Sequence, residues 1–186
     1  MTNPEIIPYS RQSVDDTDIE AVVDVLRSDW LTQGPAVEQF ESAIADAVGA
    51  REVVAVSNGT AALHVAAIAA GLAPGKRLWT SPITFVASAN CALYCGADVD
   101  FVDIDPTDAN MSMERLAEKL EAAARVDALP DVVVPVHFGG QPCDLETLGA
   151  LKKQYGFKVL EDACHAIGGS DRVGRSVGGC DVTDMA

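Results

Sequence analysis

An apolar strand breaks abruptly into charge in the stretch Phe157-Lys158-Val159-Leu160-Glu161-Asp162-Ala163-Cys164-His165-Ala166. A buried strand that ends in a charged turn is typical of open α/β sheets, which place their ligands outside the carboxyl ends of the strands. Two interpretations of the turn stay open on these residues alone. Either Asp162 caps the next turn and His165 packs against it, or both side chains face a ligand.

The rest of the chain repeats the same pattern, in which short apolar strands alternate with helices. The sequence predicts strands over residues 53–56, 77–80, 99–104, 131–136 and 157–160. It predicts helices over residues 15–27, 35–48, 61–70, 85–94, 113–124 and 144–155, and a glycine-rich hairpin or loop over 168–179. Continuous apolar strands that alternate with helices indicate an α/β fold with a parallel sheet covered on both faces.

Composition and charge exclude several functional classes. The chain has 186 residues, enough for one domain with a substantial core, and its net charge of −15 argues against nucleic acid or an anionic membrane as partner. Its sequence contains no apolar run long enough to span a membrane and no signal peptide, so a cytoplasmic location is expected. The five cysteines form no C-x-x-C pair, which disfavours a disulfide framework or a zinc site.

The turn Ser57-Asn58-Gly59-Thr60-Ala61 joins a predicted strand to a helix of small residues. Gly59 permits close backbone approach, and the free N–H groups of a first helical turn bind phosphate. A plain helix cap is the alternative, because Ser, Asn and Thr all cap helices. The turn matches neither a Walker loop nor a dinucleotide fingerprint, which disfavours a dehydrogenase.

Two further candidates follow predicted strands. Phe85 begins a helix just after a strand end, where it could stack on a planar ring or pack in the core. His137 lies in the loop Val136-His137-Phe138-Gly139-Gly140, where it either lines the pocket or satisfies the loop backbone.

Asp162 and His165 are compatible with three kinds of chemistry. A metal site needs further ligands at fixed spacing, and a Ser-His-Asp hydrolase needs a nucleophile elbow; the sequence shows neither. An Asp that faces the ring nitrogen of a pyridine cofactor fits best beside a phosphate-binding turn.

In their order, these motifs resemble the nucleotide-sugar aminotransferases of the DegT/StrS family, which are pyridoxal-phosphate (PLP) enzymes of fold type I. Further matching stretches are Tyr9-Ser10, Trp30-Leu31-Thr32-Gln33-Gly34-Pro35, Gly140-Gln141-Pro142-Cys143-Asp144 and Val177-Gly178-Gly179. Residues 8–10, 31–34 and 82–87 are most similar to the branch that makes pseudaminic acid precursors. That branch aminates carbon 4 of a UDP-linked 4-keto-6-deoxy amino sugar, with glutamate as amino donor.

The resemblance implies a role for each matching residue. Gly59, Thr60 and Ala61 would hold the cofactor phosphate, and Phe85 would stack on the pyridine ring. Asp162 would pair with the ring nitrogen and His165 would lie beside the phenolic oxygen. The residues expected to contact the sugar nucleotide are Tyr9, Asp29, Trp30, Leu31 and Thr32.

One departure from the family pattern bears on catalysis. In the family, a Schiff-base lysine follows the Val-Gly-Gly stretch by about ten residues, and residues 1–186 contain no lysine at a matching position. The resemblance therefore implies that these residues are the N-terminal part of a three-layer large domain, truncated before the small C-terminal domain and inactive alone. The full-length protein would be a homodimer. The alternative is a non-catalytic paralogue that binds the cofactor or a sugar nucleotide.

Overall fold

The computed structural model describes residues 11–179 and 182–186. These form two compact units, which divide after Phe40. The helices are α1 Asp16–Arg27, α2 Pro35–Val48, α3 Gly59–Ala69, α4 Ala87–Tyr94, α5 Met113–Ala124 and α6 Leu145–Tyr155. The strands are β1 Arg77–Thr80, β2 Asp98–Phe101, β3 Val132–Val134 and β4 Lys158–Val159, and a 3-10 turn spans Phe138–Gly140.

The first unit contains α1, whose ends follow from its sequence. Asp15 caps the helix by accepting the N–H groups of Thr17 and Asp18, while Asp18 accepts the N–H of Asp15 in return. This reciprocal capping satisfies donors that have no partner inside a helix. The predicted helix over residues 15–27 is therefore confirmed, with Asp15 as its cap.

The second unit contains a four-stranded sheet in the order β2-β1-β3-β4, and every pair is parallel. Leu78 of β1 pairs with Val132 of β3, and Val133 of β3 pairs with Val159 of β4. All four strands therefore end at the same edge of the sheet, as the sequence predicted for an α/β fold.

Alternate residues along β1, β3 and the β4 segment pack into two different cores. Leu78, Val132 and Leu160 belong to one apolar cluster with α3 and α4. Trp79, Val133 and Val159 belong to the other, with α5 and α6. Since successive side chains of a strand point to opposite faces, this division makes the second unit a three-layer α/β structure.

The predicted strand over residues 53–56 is wrong. These residues form no strand in the structure, and Val54 has 75% of its surface exposed. The Ala55 N–H donates to the Glu41 carboxylate rather than to a neighbouring strand. An apolar run becomes a strand only when a partner strand supplies its hydrogen bonds, and residues 53–56 pair with none of the described strands.

The glycine-rich segment that follows the site contains one antiparallel bridge. Ser170 and Ser176 form an antiparallel bridge, so the glycine-rich segment makes a tight hairpin, one of the two predicted forms. Among the described residues, no helix has the length and apolar character needed to cross a lipid bilayer.

Candidate cofactor site

The candidate site lies at the edge where β1, β3 and β4 end. The Thr80 hydroxyl donates to the Val134 carbonyl at 2.9 Å and ties the ends of β1 and β3 together. Beyond the strands, the Asp162 N–H donates to the Pro135 carbonyl at 2.9 Å, and the Asp162 carbonyl accepts the His137 N–H at 3.1 Å. Two backbone hydrogen bonds therefore fix the position from which the Asp162 side chain starts.

The Asp162 side chain is buried on the α3/α4 face of the sheet, with 6% of the residue exposed. Its Oδ2 atom accepts the Ser88 hydroxyl at 2.6 Å, and its Oδ1 atom accepts the Cys164 N–H at 3.4 Å. A buried carboxylate needs hydrogen-bond donors to remain in its charged form. The contact with Ser88 is the shorter of the two, so only Oδ2 accepts a strong hydrogen bond.

The turn before α3 shows the predicted helix cap, while phosphate binding stays a prediction. Asn58 caps the helix, because its side-chain oxygen accepts the Ala61 N–H at 2.9 Å. The Ala61 N–H is therefore already used by the cap. The N–H groups of Gly59 and Thr60 make no hydrogen bond within the described residues, and they remain available to an anion.

The start of α3 lies against the turn that follows Asp162. A Cβ atom placed on Gly59 would lie 3.1 Å from the Cys164 sulfur, which is tighter than ordinary contact. The two segments are 105 residues apart in sequence (164 − 59). The fold therefore brings the predicted phosphate turn and the predicted ring-nitrogen partner to the same place, as the resemblance implied.

Phe85 stays on the rim of this site. It has 72% of its surface exposed, so the alternative that it packs in the core is wrong. Its carbonyl accepts the Ser88 N–H at 3.2 Å, which places Phe85 one helical turn before the residue that holds Asp162. An exposed aromatic ring beside a buried carboxylate is available to stack on a planar ligand.

His165 is exposed on the turn after Asp162. Its backbone carbonyl packs against Gly140, where an added Cβ would lie 2.8 Å from the carbonyl oxygen. Gly140 also has φ of +85°, a conformation that side chains rarely adopt. The contact between these two turns holds His165 close to the end of the β3–α6 connection.

The structure also decides between the two interpretations of His137. The side chain is wholly buried and bonded to the Cys143 N–H and the Glu161 carboxylate. It therefore satisfies the loop and does not line the site.

The predicted sugar-nucleotide residues fall in the first unit or outside the described residues. Tyr9 lies outside them. The segment Asp29–Thr32 connects α1 and α2, and Trp30 and Leu31 have 62% and 65% of their surfaces exposed.

Three residues of the second unit were missed by the sequence analysis. Ser88 holds Asp162, Glu161 pairs with His137, and Asn110 bonds the backbone of Phe138. Their partners are 74, 24 and 28 residues away along the chain. A buried polar residue within an apolar helix, as Ser88 is in α4, was the only local signal.

Comparison with known proteins identifies the family. A family model described as the DegT/DnrJ/EryC1/StrS aminotransferase family matches residues 12–185. The chain belongs to the DegT/DnrJ/EryC1/StrS aminotransferase family. The resemblance inferred from the motifs is therefore confirmed at the level of the family.

Individual relatives of this family agree with the assignment. The chain is 44% identical over 161 residues to the spore coat polysaccharide biosynthesis protein SpsC of Bacillus subtilis (strain 168). These aligned residues make up 87% of this chain and 40% of SpsC. Helicobacter pylori PseC, an aminotransferase involved in the biosynthesis of pseudoaminic acid, has a TM-score of 0.82 and 30% identity, over 92% of this chain and 44% of PseC. This chain thus spans less than half the length of either relative.

A third relative bears on the cofactor. The PMP form of Spr1654 from Streptococcus pneumoniae has a TM-score of 0.79 and 25% identity, over 93% of this chain and 45% of Spr1654. Aminotransferases of the DegT/DnrJ/EryC1/StrS family depend on PLP, and their fold is that of the type I PLP enzymes. The predicted fold class is confirmed.

The second unit presents donors and acceptors whose chemistry fits PLP. The N–H groups of Gly59 and Thr60 suit a phosphate dianion at a helix N-terminus. Phe85 exposes an aromatic face, and the buried Asp162 carboxylate suits a protonated ring nitrogen. Each of the three parts of the cofactor therefore has a matching group.

Proposed function

We propose that residues 1–186 form the cofactor-binding part of a PLP-dependent nucleotide-sugar aminotransferase. The observation that supports it best is the Asp162 carboxylate, buried at the strand ends beside the exposed Phe85 and the start of α3. The substrate is a UDP-linked 4-keto-6-deoxy amino sugar, the amino donor is glutamate, and the biosynthetic product serves pseudaminic acid or a related sugar. The similarity to PseC supports this choice of sugar.

Each residue of the site has a defined task in this proposal. The N–H groups of Gly59 and Thr60 bind the phosphate, and Ala61, whose N–H is held by the Asn58 cap, completes the turn around it. Phe85 covers one face of the ring. Asp162 holds a proton on the ring nitrogen, and His165 contacts the ring edge. When bound, PLP supplies the electron sink that amino-group transfer requires. Tyr9 and residues 29–32 bind the sugar nucleotide.

The lysines of the chain support the proposal that residues 1–186 alone do not catalyse transamination. Lys76, Lys119 and Lys152 form ion pairs with Asp131, Asp100 and Asp184. Lys158 donates to the Ala70 carbonyl at the far end of α3, and Lys153 is exposed on α6. These are all five lysines of the sequence, and among the described residues none forms a hydrogen bond or ion pair with Asp162. Covalent catalysis needs an amine positioned at the reacting carbon.

Titration of the purified chain with PLP and with pyridoxamine 5′-phosphate (PMP) tests the cofactor site. Saturable, reversible binding is expected, and inorganic phosphate should compete for the helix N-terminus. Replacement of Asp162 by Asn should weaken binding by about tenfold, since a hydrogen bond to a charged group contributes about 1.5–3 kcal/mol. The control is Asp108→Asn on the exposed loop before α5, which should bind both cofactors normally. Absence of saturable binding to the wild-type chain would overturn the proposed site.

A second measurement tests the sugar-nucleotide loop. The chain has two tryptophans, of which Trp79 is 3% exposed and Trp30 is 62% exposed. In a Trp79→Phe variant the fluorescence reports on Trp30 alone. We expect quenching by UDP-N-acetylglucosamine, used as a stable stand-in, and none by free N-acetylglucosamine. An unchanged spectrum with the nucleotide sugar would count against this substrate class.

Catalysis separates the enzyme from the alternative of a non-catalytic binding protein. Glutamate and a UDP-4-keto sugar should give no turnover with residues 1–186, and turnover would refute the proposed inactivity. The DNA downstream of codon 186 then decides between the two. An open frame that encodes a Phe-x-x-x-Lys-type segment supports the aminotransferase, whereas a stop codon supports the binding protein.

A further inference from the structure

Two hydroxyl groups form a continuous hydrogen-bonded line that ends on Asp162. The Thr84 Oγ1 atom lies 2.7 Å from the Ser88 Oγ atom, which in turn lies 2.6 Å from Oδ2 of Asp162. Ser88 is wholly buried, and its Oγ atom also lies 3.2 Å from the Phe85 carbonyl. Three neighbours therefore compete for the single proton of one serine hydroxyl.

The directions along this line follow from the number of protons. A serine hydroxyl donates one hydrogen bond and accepts up to two. A bond to a carboxylate is stronger than one to a carbonyl, and the Asp162 contact is shorter than the Phe85 contact by 0.6 Å (3.2 − 2.6). Ser88 therefore donates to Asp162, which leaves Thr84 as the donor to Ser88. Each bond in such a chain polarises and strengthens the next.

The line makes the two carboxylate oxygens of Asp162 unequal. Oδ2 is engaged by the close Ser88 hydroxyl, whereas the Cys164 N–H lies 3.4 Å from Oδ1. The thiol of Cys164 adds a weak side-chain hydrogen bond to Asp162. Oδ1 thus keeps most of its capacity to accept a strong donor. This asymmetry fixes the rotation of the carboxylate before any ligand arrives.

From this geometry we infer that Ser88, supported by Thr84, is a positioning residue that orients Asp162 to receive the ring N–H of the cofactor. The inference rests on the proposed function, because it assigns a task to the same site. Thr84, Phe85 and Ser88 lie within five residues of one segment, which ends in the first turn of α4. A single short segment would then set both the ring-stacking face and the orientation of the ring-nitrogen partner.

The experiment compares two ligands that differ only at the ring nitrogen. PMP carries the nitrogen, and its 1-deaza analogue has a C–H group in that position. Both bind reversibly, so dissociation constants can be measured by fluorescence on the chain itself. The wild-type chain should prefer PMP by about tenfold, the size expected for one hydrogen bond to a charged group. The Ser88→Ala variant should lose this preference while its affinity for the deaza analogue stays unchanged.

Matched variants separate orientation from folding. Thr84→Val removes the donor and keeps the side-chain shape, whereas Thr84→Ser keeps the hydroxyl. We expect the preference for PMP to fall in Thr84→Val and to persist in Thr84→Ser, with Ser88→Thr restoring what Ser88→Ala loses. A structural role alone would weaken the binding of both ligands equally. Since Thr84 is only half-buried, its variants test the inference even if Ser88→Ala does not fold.

The outcomes distinguish this inference from the proposed function. If the wild type prefers PMP and both Ser88→Ala and Thr84→Val keep that preference, the positioning role is overturned and the cofactor site stands. If the wild type binds neither ligand, or binds both equally, the assignment of Asp162 to the ring nitrogen fails, and the positioning role fails with it. Loss of the preference in both variants, with rescue by Thr84→Ser, supports both.

Discussion

The His137 Nε2 atom lies 2.6 Å from the Glu161 Oε2 atom, and both side chains are wholly buried. The other ring nitrogen, Nδ1, accepts the Cys143 N–H at 3.1 Å and so carries no proton. A neutral imidazole has its one proton on the remaining nitrogen, so His137 donates to Glu161. The Glu161 Oε1 atom has no partner among the described residues, which makes His137 essential to this buried carboxyl group.

Removal of the histidine alone should therefore be costly. His137→Leu leaves Glu161 buried without a donor, and the free energy of unfolding should fall by about 3–5 kcal/mol. The double variant His137→Leu, Glu161→Leu removes both polar partners, so it should be more stable than the single variant. Urea denaturation of the two proteins makes the comparison. A double variant no more stable than His137→Leu would contradict this account.

The thiol of Cys164 should react slowly for an exposed cysteine. Burial of the sulfur and its contact with the Asp162 carboxylate raise the pKa of Cys164 to about 11. Because the thiolate is the nucleophile, alkylation by iodoacetamide at pH 8 should be slower than in the urea-unfolded chain and should accelerate up to about pH 11. Peptide mass spectrometry follows this cysteine separately from the others.

Replacement of Asp162 by Asn checks the cause of that shift. The neutral amide no longer opposes a thiolate, so the pKa of Cys164 should fall and its alkylation at pH 8 should accelerate. In urea the two proteins should react alike. Equal rates in the folded wild type and the folded variant would show that Asp162 does not control the thiol.

Asn110 should stabilise the loop between β3 and α6. It is 2% exposed, its Oδ1 atom accepts the Phe138 N–H, and its Nδ2 atom donates to the Gln141 carbonyl, both at 2.9 Å. Asn110→Ala leaves the Gln141 carbonyl unpaired and leaves the Phe138 N–H with the Val136 carbonyl alone, so it should lower the free energy of unfolding by about 1–3 kcal/mol. Gln141→Ala is the control, because it keeps the carbonyl that Asn110 binds. Equal losses of stability in thermal denaturation of the two variants would argue against this role of the Asn110 side chain.

Neighbouring glycines offer a matched test of the contact between the β3–α6 loop and the turn at His165. Gly139 has φ of +61° and no heavy atom within 4 Å of an added Cβ, so Gly139→Ala should cost about 1 kcal/mol from backbone conformation alone. Gly140→Ala has a similar conformational cost, and its Cβ would also displace the His165 carbonyl. We expect a larger loss of stability and shifted His165 amide signals in NMR spectra only for Gly140→Ala.

The helices were predictable because their signals are local. The spans of α2 and α5 agree with the sequence prediction, and α6 begins one residue after its predicted start because Asp144 is its cap. Periodicity and capping act over a few residues, so the sequence contains all that decides them. The parallel direction of the strands followed from the same alternation, whereas their order in the sheet was not predicted.

What the sequence could not reveal depends on distant contacts. Val53–Val56 has the composition of a strand but no neighbouring strand among the described residues, and pairing is not written in a single segment. Phe85 and His137 each had two interpretations, which only the burial of each side chain in the fold separated. The bond from Ser88 to Asp162 joins residues 74 positions apart. Local patterns therefore located the site but not the groups that hold it.

Glu161 and Asp162 are adjacent in sequence yet point to opposite faces of the sheet, one toward His137 and the other toward Ser88. A change of one side chain leaves the hydrogen bond of the other intact, since the two side chains share no partner. An insertion or deletion, in contrast, affects Glu161 and Asp162 together. One residue inserted or deleted just before Glu161 would exchange the two faces, because side chains alternate along a strand. A point substitution therefore disrupts one of the two side-chain contacts, whereas an insertion or deletion disrupts both at once.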